Sequence, residues 1–205
     1  MADLFWLPLK QRIELEAPDV NLHAVPYNVN GEKLLLSADV DMVLDYFEGN
    51  SAQVQTQHLF DNHFVCAMRA DHPLASEELS LSAFANADHL LLSLSGEATG
   101  GVDMLLGQKG MKRRIAMTVN HCYSIPKLLI NTDMITTIPL PIISDSVSKG
   151  ELVIKKTPFT MQPGPISMSW HVRHQRDQGT LWLREKVLSV LNHGLPKNLL
   201  FDPFQ

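Results

Sequence analysis

A polar segment with hydroxyl groups and glycines, SLSGEATGG at 93–101, follows an apolar run and precedes a predicted helix. Ser93, Ser95 and Thr99, together with backbone N–H groups ahead of the helix, are donors that could bind an anion or a carboxylate. The segment is not a Walker loop, because no Gly-Lys-Ser or Gly-Lys-Thr follows it. Ordinary N-capping of the helix accounts for the same residues, so both interpretations stay open.

His121 follows a predicted strand and precedes a predicted helix, at the carboxyl end of the strand, where open sheets bind ligands. A purely structural histidine is the alternative. A hydrolase dyad of Ser93 and His121 is disfavoured, because the Gly-x-Ser-x-Gly turn is missing and no acidic partner stands out. The histidines also form no i,i+4 pair with a carboxylate nearby. The sequence therefore predicts no catalytic residue, no metal site and no cofactor.

The two cysteines, Cys66 and Cys122, lie far apart and form neither a disulfide framework nor a zinc-ligand spacing. Cys122 beside His121 could be a redox-active thiol, whereas a buried inert thiol is the favoured alternative. Such sparse cysteine usage fits a reducing compartment, so we expect a cytoplasmic location. No apolar run approaches the ~20 residues that cross a bilayer, and the N-terminus lacks the pattern of a signal peptide, so we expect no membrane partner.

Predicted helices and strands alternate along the chain, which favours an open α/β sheet. Alternating side chains predict a strand at 20–25, and two further runs, at 55–60 and 63–69, predict a pair of strands. Beyond the polar segment, the spacing predicts a helix over 99–108. Together these elements place the chemistry-bearing residues at the ends of strands.

The C-terminal part of the chain carries a strand followed by a helix. Asp177 is positioned to cap the helix, and Gly194 is positioned to end it. The strand is expected to direct four side chains to one side: Ile166, Met168, Trp170 and Val172. Because residues 70–165 already form a complete set of βα units, this last pair predicts two lobes with crossings near Met68–Arg69 and near 167–170. A cleft between lobes is where small ligands usually bind.

Charge and composition limit the possible partners. The 205 residues are 45% hydrophobic and 19% charged, which is enough for two packed lobes. The formal net charge is -5, and the sequence pI is about 6.0. Binding to a nucleic-acid backbone needs a clustered positive surface, so this chain is not expected to bind DNA by itself.

Four segments resemble the effector-binding domain of LysR-type transcriptional regulators. They are ADVDMVL, FVCAMRADHPLA, the tract from GGVDMLL to TDMITTIP, and MSWHVRHQRDQGTLWLREKV. The last segment is similar to the closing tract of the nodulation and aromatic-catabolism branch. The resemblance covers about residues 2–190, and its specificity comes from the order and spacing of the segments.

This resemblance implies an α/β fold of the two-lobe, type II periplasmic-binding-protein-like class. Residues 1–68 with 168–205 would form lobe one, and residues 69–167 lobe two. The implied function is non-enzymatic sensing of a small-molecule effector, a carboxylate or an aromatic acid, bound between the lobes to control transcription by rearranging an oligomer. A periplasmic-type solute-binding protein is the alternative, disfavoured by the missing signal peptide.

The resemblance also implies partners and a site. We expect a homodimer, a tetramer in the full-length regulator, and DNA binding only through an N-terminal winged helix-turn-helix domain that this chain lacks. Arg176 would lie near the lobe crossing, where a guanidinium binds carboxylates well. The polar donors and the apolar walls of Pro139 and Trp170 complete an expected effector site of seven residues: Ser93, Ser95, Thr99, His121, Pro139, Trp170 and Arg176.

Overall fold

The computed structural model describes residues 2–25, 30–45, 51–193 and 203–204, which fall into two compact units. Unit 1 comprises Met1–Asn62 and Gly164–Asp202, and unit 2 comprises His63–Pro163 and Pro203–Gln205. Among the described residues, no helix combines the length and the apolar character needed to cross a bilayer.

Helices and strands alternate along the described residues, as the sequence pattern predicts. In chain order they are α1 (Ala2–Glu16), α2 (Gly31–Leu36), β1 (Val43–Asp45), β2 (Val54–Asn62), β3 (Phe64–Arg69), α3 (Leu81–Asn86), β4 (Asp88–Leu92), α4 (Gly101–Gly107), β5 (Arg114–Val119), α5 (Ile125–Ile130), β6 (Met134–Pro139), α6 (Ser144–Ser148), β7 (Leu152–Lys155), β8 (Gly164–His171) and α7 (Gln178–His193). Short 3-10 turns lie at Leu140–Ile142 and Val172–His174.

The sheet of unit 1 has the order β1-β8-β2, and both outer strands run antiparallel to β8. Central β8 is buried on both faces: Met168 packs in the core with α1 and α7, while the Ser169 hydroxyl lies 3.0 Å from that of Thr56. Helices α1 and α7 supply the rest of this core, through apolar side chains such as Ile13 and Val190.

The first turn of α7 is capped as its sequence predicts. The Asp177 carboxylate accepts hydrogen bonds from the Thr180 backbone N–H at 2.8 Å and the Thr180 hydroxyl at 2.9 Å. These bonds satisfy a donor that the helix leaves free at its start, which confirms the predicted cap. The predicted helix end at Gly194 lies outside the described residues.

Three predictions about strands are wrong. Residues 20–25 form no strand, and Val20 and Val25 remain 41% and 51% exposed, because no neighbouring strand pairs with them. Strands β2 and β3 do not pair with each other; β2 pairs with β8, and β3 with β6 and β7. The last strand ends at His171, so Val172 lies in a 3-10 turn and is 43% exposed.

The sheet of unit 2 has the order β5-β4-β6-β3-β7. Strand β4 is parallel to both β5 and β6, whereas β3 is antiparallel to β6 and β7. The carboxyl ends of β4, β5 and β6 therefore lie at one edge of the sheet, together with the amino end of β3. A core of Phe84, Leu106 and Ile135 packs one face against α3 and α4.

The chain passes from unit 1 to unit 2 between Asn62 and His63, and it returns to unit 1 between Pro163 and Gly164. The sequence pattern placed the two crossings a few residues later in each case. In the structure β3 lies wholly in unit 2 and β8 wholly in unit 1, because each has its hydrogen-bonded neighbours there.

Candidate functional site

The candidate site lies at the edge of the unit 2 sheet where β4, β5 and β6 end. The Ser93 backbone N–H donates to the Val119 carbonyl at 2.8 Å, which joins the ends of β4 and β5. His121 follows the end of β5 by two residues, and Pro139 is the last residue of β6. The structure thus brings Ser93, His121 and Pro139 to one edge, as expected for carboxyl ends of adjacent parallel strands.

Residues 93–100, here called the site turn, connect β4 to α4. Ser93 is buried, while Ser95 and Thr99 are exposed. The Ser95 hydroxyl accepts a 3.4 Å hydrogen bond from the Glu97 N–H. Gly96 has φ +82°, a left-handed conformation that strains any residue with a Cβ. The hydroxyl groups of Ser95 and Thr99 are therefore available to solvent.

Helix α4 is shorter than predicted, and an acidic residue in its first turn holds its N-cap. Gly100 is extended, with φ -156° and ψ -171°, so the helix begins at Gly101 and Thr99 stays in the turn. The Gly100 N–H donates to the Asp103 carboxylate at 2.7 Å. The carboxylate of Asp103, inside the helix, thus binds the N-cap residue, and no side chain caps α4 from the turn.

Arg113 neutralises this capping carboxylate. Its Nε lies 2.9 Å from Asp103 Oδ1 and its Nη2 lies 2.8 Å from Oδ2, a bidentate pair. The Arg113 side chain is only 2% exposed. Burial raises the pKa of Asp103, but hydrogen bonds from Arg113 and Gly100 outweigh it, so the net pKa lies below its ordinary value. Asp103 is therefore ionised, and the positive charge of Arg113 balances its negative charge.

His89 adds a third polar side chain to this pair. It is fully buried, with Nε2 2.8 Å from the Phe84 carbonyl and Nδ1 3.4 Å from Arg113 Nη1. Because a carbonyl only accepts, Nε2 carries the proton, and Nδ1 is left to accept from Arg113. Burial lowers the pKa of His89 to about 4, with the Arg113 charge acting in the same direction. His89 is thus neutral at physiological pH.

Sequence reasoning missed this network of His89, Asp103 and Arg113. Arg113 belongs to KRR at 112–114, a cluster that looks like solvated surface charge. Its two neighbours fit that description: Lys112 is exposed, and Arg114 has a 70% exposed side chain and pairs with Asp88 on the surface. The one available signal was Asp103, an acidic residue in the first turn of a predicted helix. A capping box places such a residue three positions after the N-cap.

His121 and Cys122 follow the end of β5. His121 is exposed, whereas Cys122 is half-buried. Burial raises the pKa of the Cys122 thiol, so the reactive thiolate is disfavoured. The thiol of Cys66 is fully buried and burial raises its pKa to about 12. These environments fit inert thiols better than a redox pair.

Two expected site residues belong to unit 1. Trp170 is 6% exposed; its indole N–H donates to Gln175 Oε1 at 2.7 Å, and the Arg184 guanidinium lies 4.1 Å from its ring centroid. This is a cation–π contact within a packed core. Arg176 is exposed, near the start of α7. Their contribution to an effector site stays a prediction.

Comparison with known proteins assigns the family. The family model described as LysR substrate binding domain matches residues 1–192. The transcriptional activator NagR of Ralstonia sp is 29% identical over 191 residues, which are 93% of this chain and 64% of the relative. Nodulation protein D 2 of Sinorhizobium fredii is 26% identical over 191 residues, with 93% and 61% covered. The chain therefore spans less than two thirds of the length of these relatives.

Solved structures give the same fold. The regulatory domain of MexT, a transcriptional activator in Pseudomonas aeruginosa, superimposes with a TM-score of 0.79 at 25% identity, covering 92% of each chain. The CcmR regulatory domain of Synechocystis, solved in complex with 2-PG, gives a TM-score of 0.77 at 16% identity, covering 95% of each chain. LysR regulatory domains have the type II periplasmic-binding-protein-like fold, so the predicted fold class is confirmed.

The relatives are transcriptional regulators rather than enzymes, which confirms the prediction of a non-enzymatic chain. The match of the family model to residues 1–192 shows that this chain belongs to the LysR substrate-binding domain family, the effector-binding regulatory domains of LysR-type transcriptional regulators.

Proposed function

We propose that this chain binds a small carboxylate, an aromatic acid in particular, through the site turn and the neighbouring strand ends of unit 2. The observation that carries this is the meeting of Ser93, His121 and Pro139 at one edge of the sheet, beside the exposed hydroxyls of Ser95 and Thr99. Hydroxyl groups and an imidazole can donate to a carboxylate. Pro139 is itself buried at the end of β6, so the preference for an aromatic acid rests on the resemblance to the aromatic-catabolism branch.

Charge compensation at the start of α4 favours an anionic ligand, although the turn itself carries the exposed carboxylate of Glu97. The one carboxylate at the start of α4, Asp103, is held in a bidentate pair by Arg113. A compensated carboxylate repels an incoming anion far less than a free one does. The CcmR regulatory domain, which has the same fold, was solved in complex with 2-PG. That complex supports ligand sensing as the role of the fold.

The wider role rests on the relatives. NagR is named an HTH-type transcriptional activator, and this chain covers 64% of its length. We propose that effector binding to this domain controls transcription through a homo-oligomer, and that DNA is bound by a segment outside these 205 residues. The location of the effector between two lobes, and the roles of Trp170 and Arg176, remain predictions from the family resemblance.

A binding screen tests this proposal. The chain is titrated with benzoate, other aromatic acids and aliphatic carboxylates, and with benzamide as a neutral analogue of benzoate. A ligand at 100 times its Kd should add about 2.7 kcal/mol of stability, or roughly 5–10 °C in Tm. If no carboxylate raises the Tm more than benzamide does, the proposed ligand class is wrong.

Variants then locate the site for the tightest ligand of the screen. Ser95→Ala and His121→Ala should each weaken binding by about 5- to 30-fold, the effect of losing one polar contact. Ser76→Ala and His23→Ala are matched controls: Ser76 is exposed and follows the carboxyl end of β3, at the opposite edge of the unit 2 sheet, and His23 is an exposed histidine of unit 1. Unchanged Kd values for both site variants would contradict the placement of the ligand at the site turn.

A further inference from the structure

We propose that Arg113 is a positioning residue that fixes both ends of the site turn, through Asp103 at one end and His89 at the other. The consequence for effector affinity rests on the proposed function, whereas the effect on the turn itself does not. Arg113 is separated from the turn in sequence and precedes β5, so this role follows from tertiary contacts rather than from a local pattern.

The downstream end of the turn is held through Asp103. Both Asp103 oxygens accept from Arg113, and Oδ2 also accepts from the Gly100 N–H at 2.7 Å. Gly100 is the last residue of the turn. The guanidinium therefore fixes the rotamer of the carboxylate that holds the backbone where the turn meets α4.

The upstream end is held through His89 on β4, four residues before Ser93. Its ring accepts from Arg113 Nη1 at 3.4 Å and donates to the Phe84 carbonyl at 2.8 Å. The Ser93 N–H donates to the Val119 carbonyl on β5, the strand that follows Arg113 directly. One side chain thus connects β4, β5 and α4 below the turn.

The middle of the turn contrasts with these fixed ends. Residues 94–99 are all exposed, and the hydrogen bond from the Glu97 N–H to the Ser95 hydroxyl joins residues only two positions apart within the turn. An exposed segment keeps its shape mainly through its anchored ends. A turn with fixed ends loses less conformational entropy when a ligand orders it. Such preorganisation increases the affinity for the ligand.

Arginine is the side chain that this geometry requires. The three contacts use Nε, Nη1 and Nη2, which point in fixed directions from one planar group. Lysine has a single ammonium group and cannot bind both oxygens of Asp103 while also reaching His89. Methionine keeps much of the length but has no charge, so Asp103 would lose its compensating partner.

Hydrogen exchange of the effector-free chain tests the proposal. Arg113→Met should speed exchange of the Ser93 and Gly100 amides, which are hydrogen-bonded at the two ends of the turn, by about tenfold, the effect of losing a charge-assisted hydrogen bond, and leave β7 unchanged. Arg113→Lys should give a smaller increase. Arg114→Met is the matched control, because its exposed guanidinium pairs with Asp88 only, and it should exchange like the wild type.

Further outcomes separate positioning from general stability. In an Asp103→Asn background, Arg113→Met should add little to the exchange rate of the Gly100 amide, because Arg113 acts on that end of the turn through the Asp103 carboxylate. Faster exchange throughout unit 2, or unchanged exchange at the Ser93 and Gly100 amides, overturns the proposal. If Arg113→Met does not fold, Arg113→Lys and Asp103→Asn must still speed exchange in the turn selectively, or the proposal is wrong.

Binding gives an independent readout. With benzoate as the probe, Arg113→Met should raise Kd by about tenfold while Arg114→Met does not. A faster-exchanging turn with an unchanged Kd would overturn the link to affinity. If the wild type does not bind benzoate or any other carboxylate of the screen, the proposed function fails, whereas the exchange pattern still decides whether Arg113 positions the turn.

Discussion

Lowering the pH should destabilise the folded chain through His89. Burial lowers the pKa of this side chain to about 4 in the folded state, from an ordinary value of 6.5. As the pH falls below 6.5, the unfolded chain takes up a proton at His89 and the folded chain does not. The stability that neutral His89 contributes is thus fully present above pH 6.5 and is lost as the pH falls toward 4.

The size of this loss follows from the two pKa values. Each unit of difference is worth about 1.4 kcal/mol, so the full loss is about 3 kcal/mol, of which about 2 kcal/mol is reached near pH 5. His89→Gln removes the titration, since an amide can donate to the Phe84 carbonyl and accept from Arg113. The free energies of unfolding of both proteins are measured by urea denaturation from about pH 7.5 to about pH 5.

The comparison between the two proteins isolates His89 from the carboxylates, which titrate in both. His89→Gln should be less stable than the wild type at neutral pH, and this difference should shrink by about 2 kcal/mol near pH 5. His23→Gln, at an exposed position, is measured alongside as the control variant. A difference that stays constant with pH would refute the assigned protonation state and the buried environment behind it.

Further predictions concern backbone and packing. Gly96→Ala should lower stability by about 1 kcal/mol because of the positive φ, whereas Gly107→Ala, which meets open space at the end of α4, should not; thermal unfolding compares the two. Asp177→Ala should cost about 1 kcal/mol by removing the α7 cap, with Gln178→Ala as its control in the same assay. Maleimide should label Cys66 only on unfolding, because burial raises its pKa to about 12; rapid labelling of the native chain there would contradict this.

Local sequence rules predicted the parts of the fold that depend on neighbours in sequence. The Asp177 cap and the alternation of β8 are of this kind, as are the positions of Ser93 and His121 just after the carboxyl ends of strands. Residues 20–25 alternate in the same way but form no strand, because a strand needs a partner and none pairs with it.

Contacts between distant residues could not be predicted in this way. Arg113 meets Asp103 ten positions away and His89 twenty-four positions away, and nothing in KRR distinguishes a buried arginine from two exposed neighbours. The helix start at Gly101 also depends on this contact, because the Asp103 carboxylate that holds Gly100 is itself oriented by Arg113.

Two of the segments that carry the family resemblance now have a structural explanation. In DHPLA, His72 is buried; its Nδ1 accepts from the Leu74 N–H at 3.0 Å, and its Nε2 lies 3.1 Å from the Asp133 carbonyl. Arg69 donates to the Asp133 carboxylate from Nε at 2.9 Å and Nη2 at 2.7 Å. These bonds tie the end of β3 to the start of β6, so the residues serve the fold at the edge opposite the candidate site.

Chemical-shift mapping with a bound carboxylate tests the central claim most directly. The isotopically labelled chain is titrated with the tightest ligand of the screen, and backbone amide shifts are followed to saturation. The largest saturable shifts should fall in residues 93–100 and 120–122, at the carboxyl ends of β4 and β5. Shifts concentrated instead around Arg69 and Asp133, at the opposite edge of the same sheet, would contradict the proposed site.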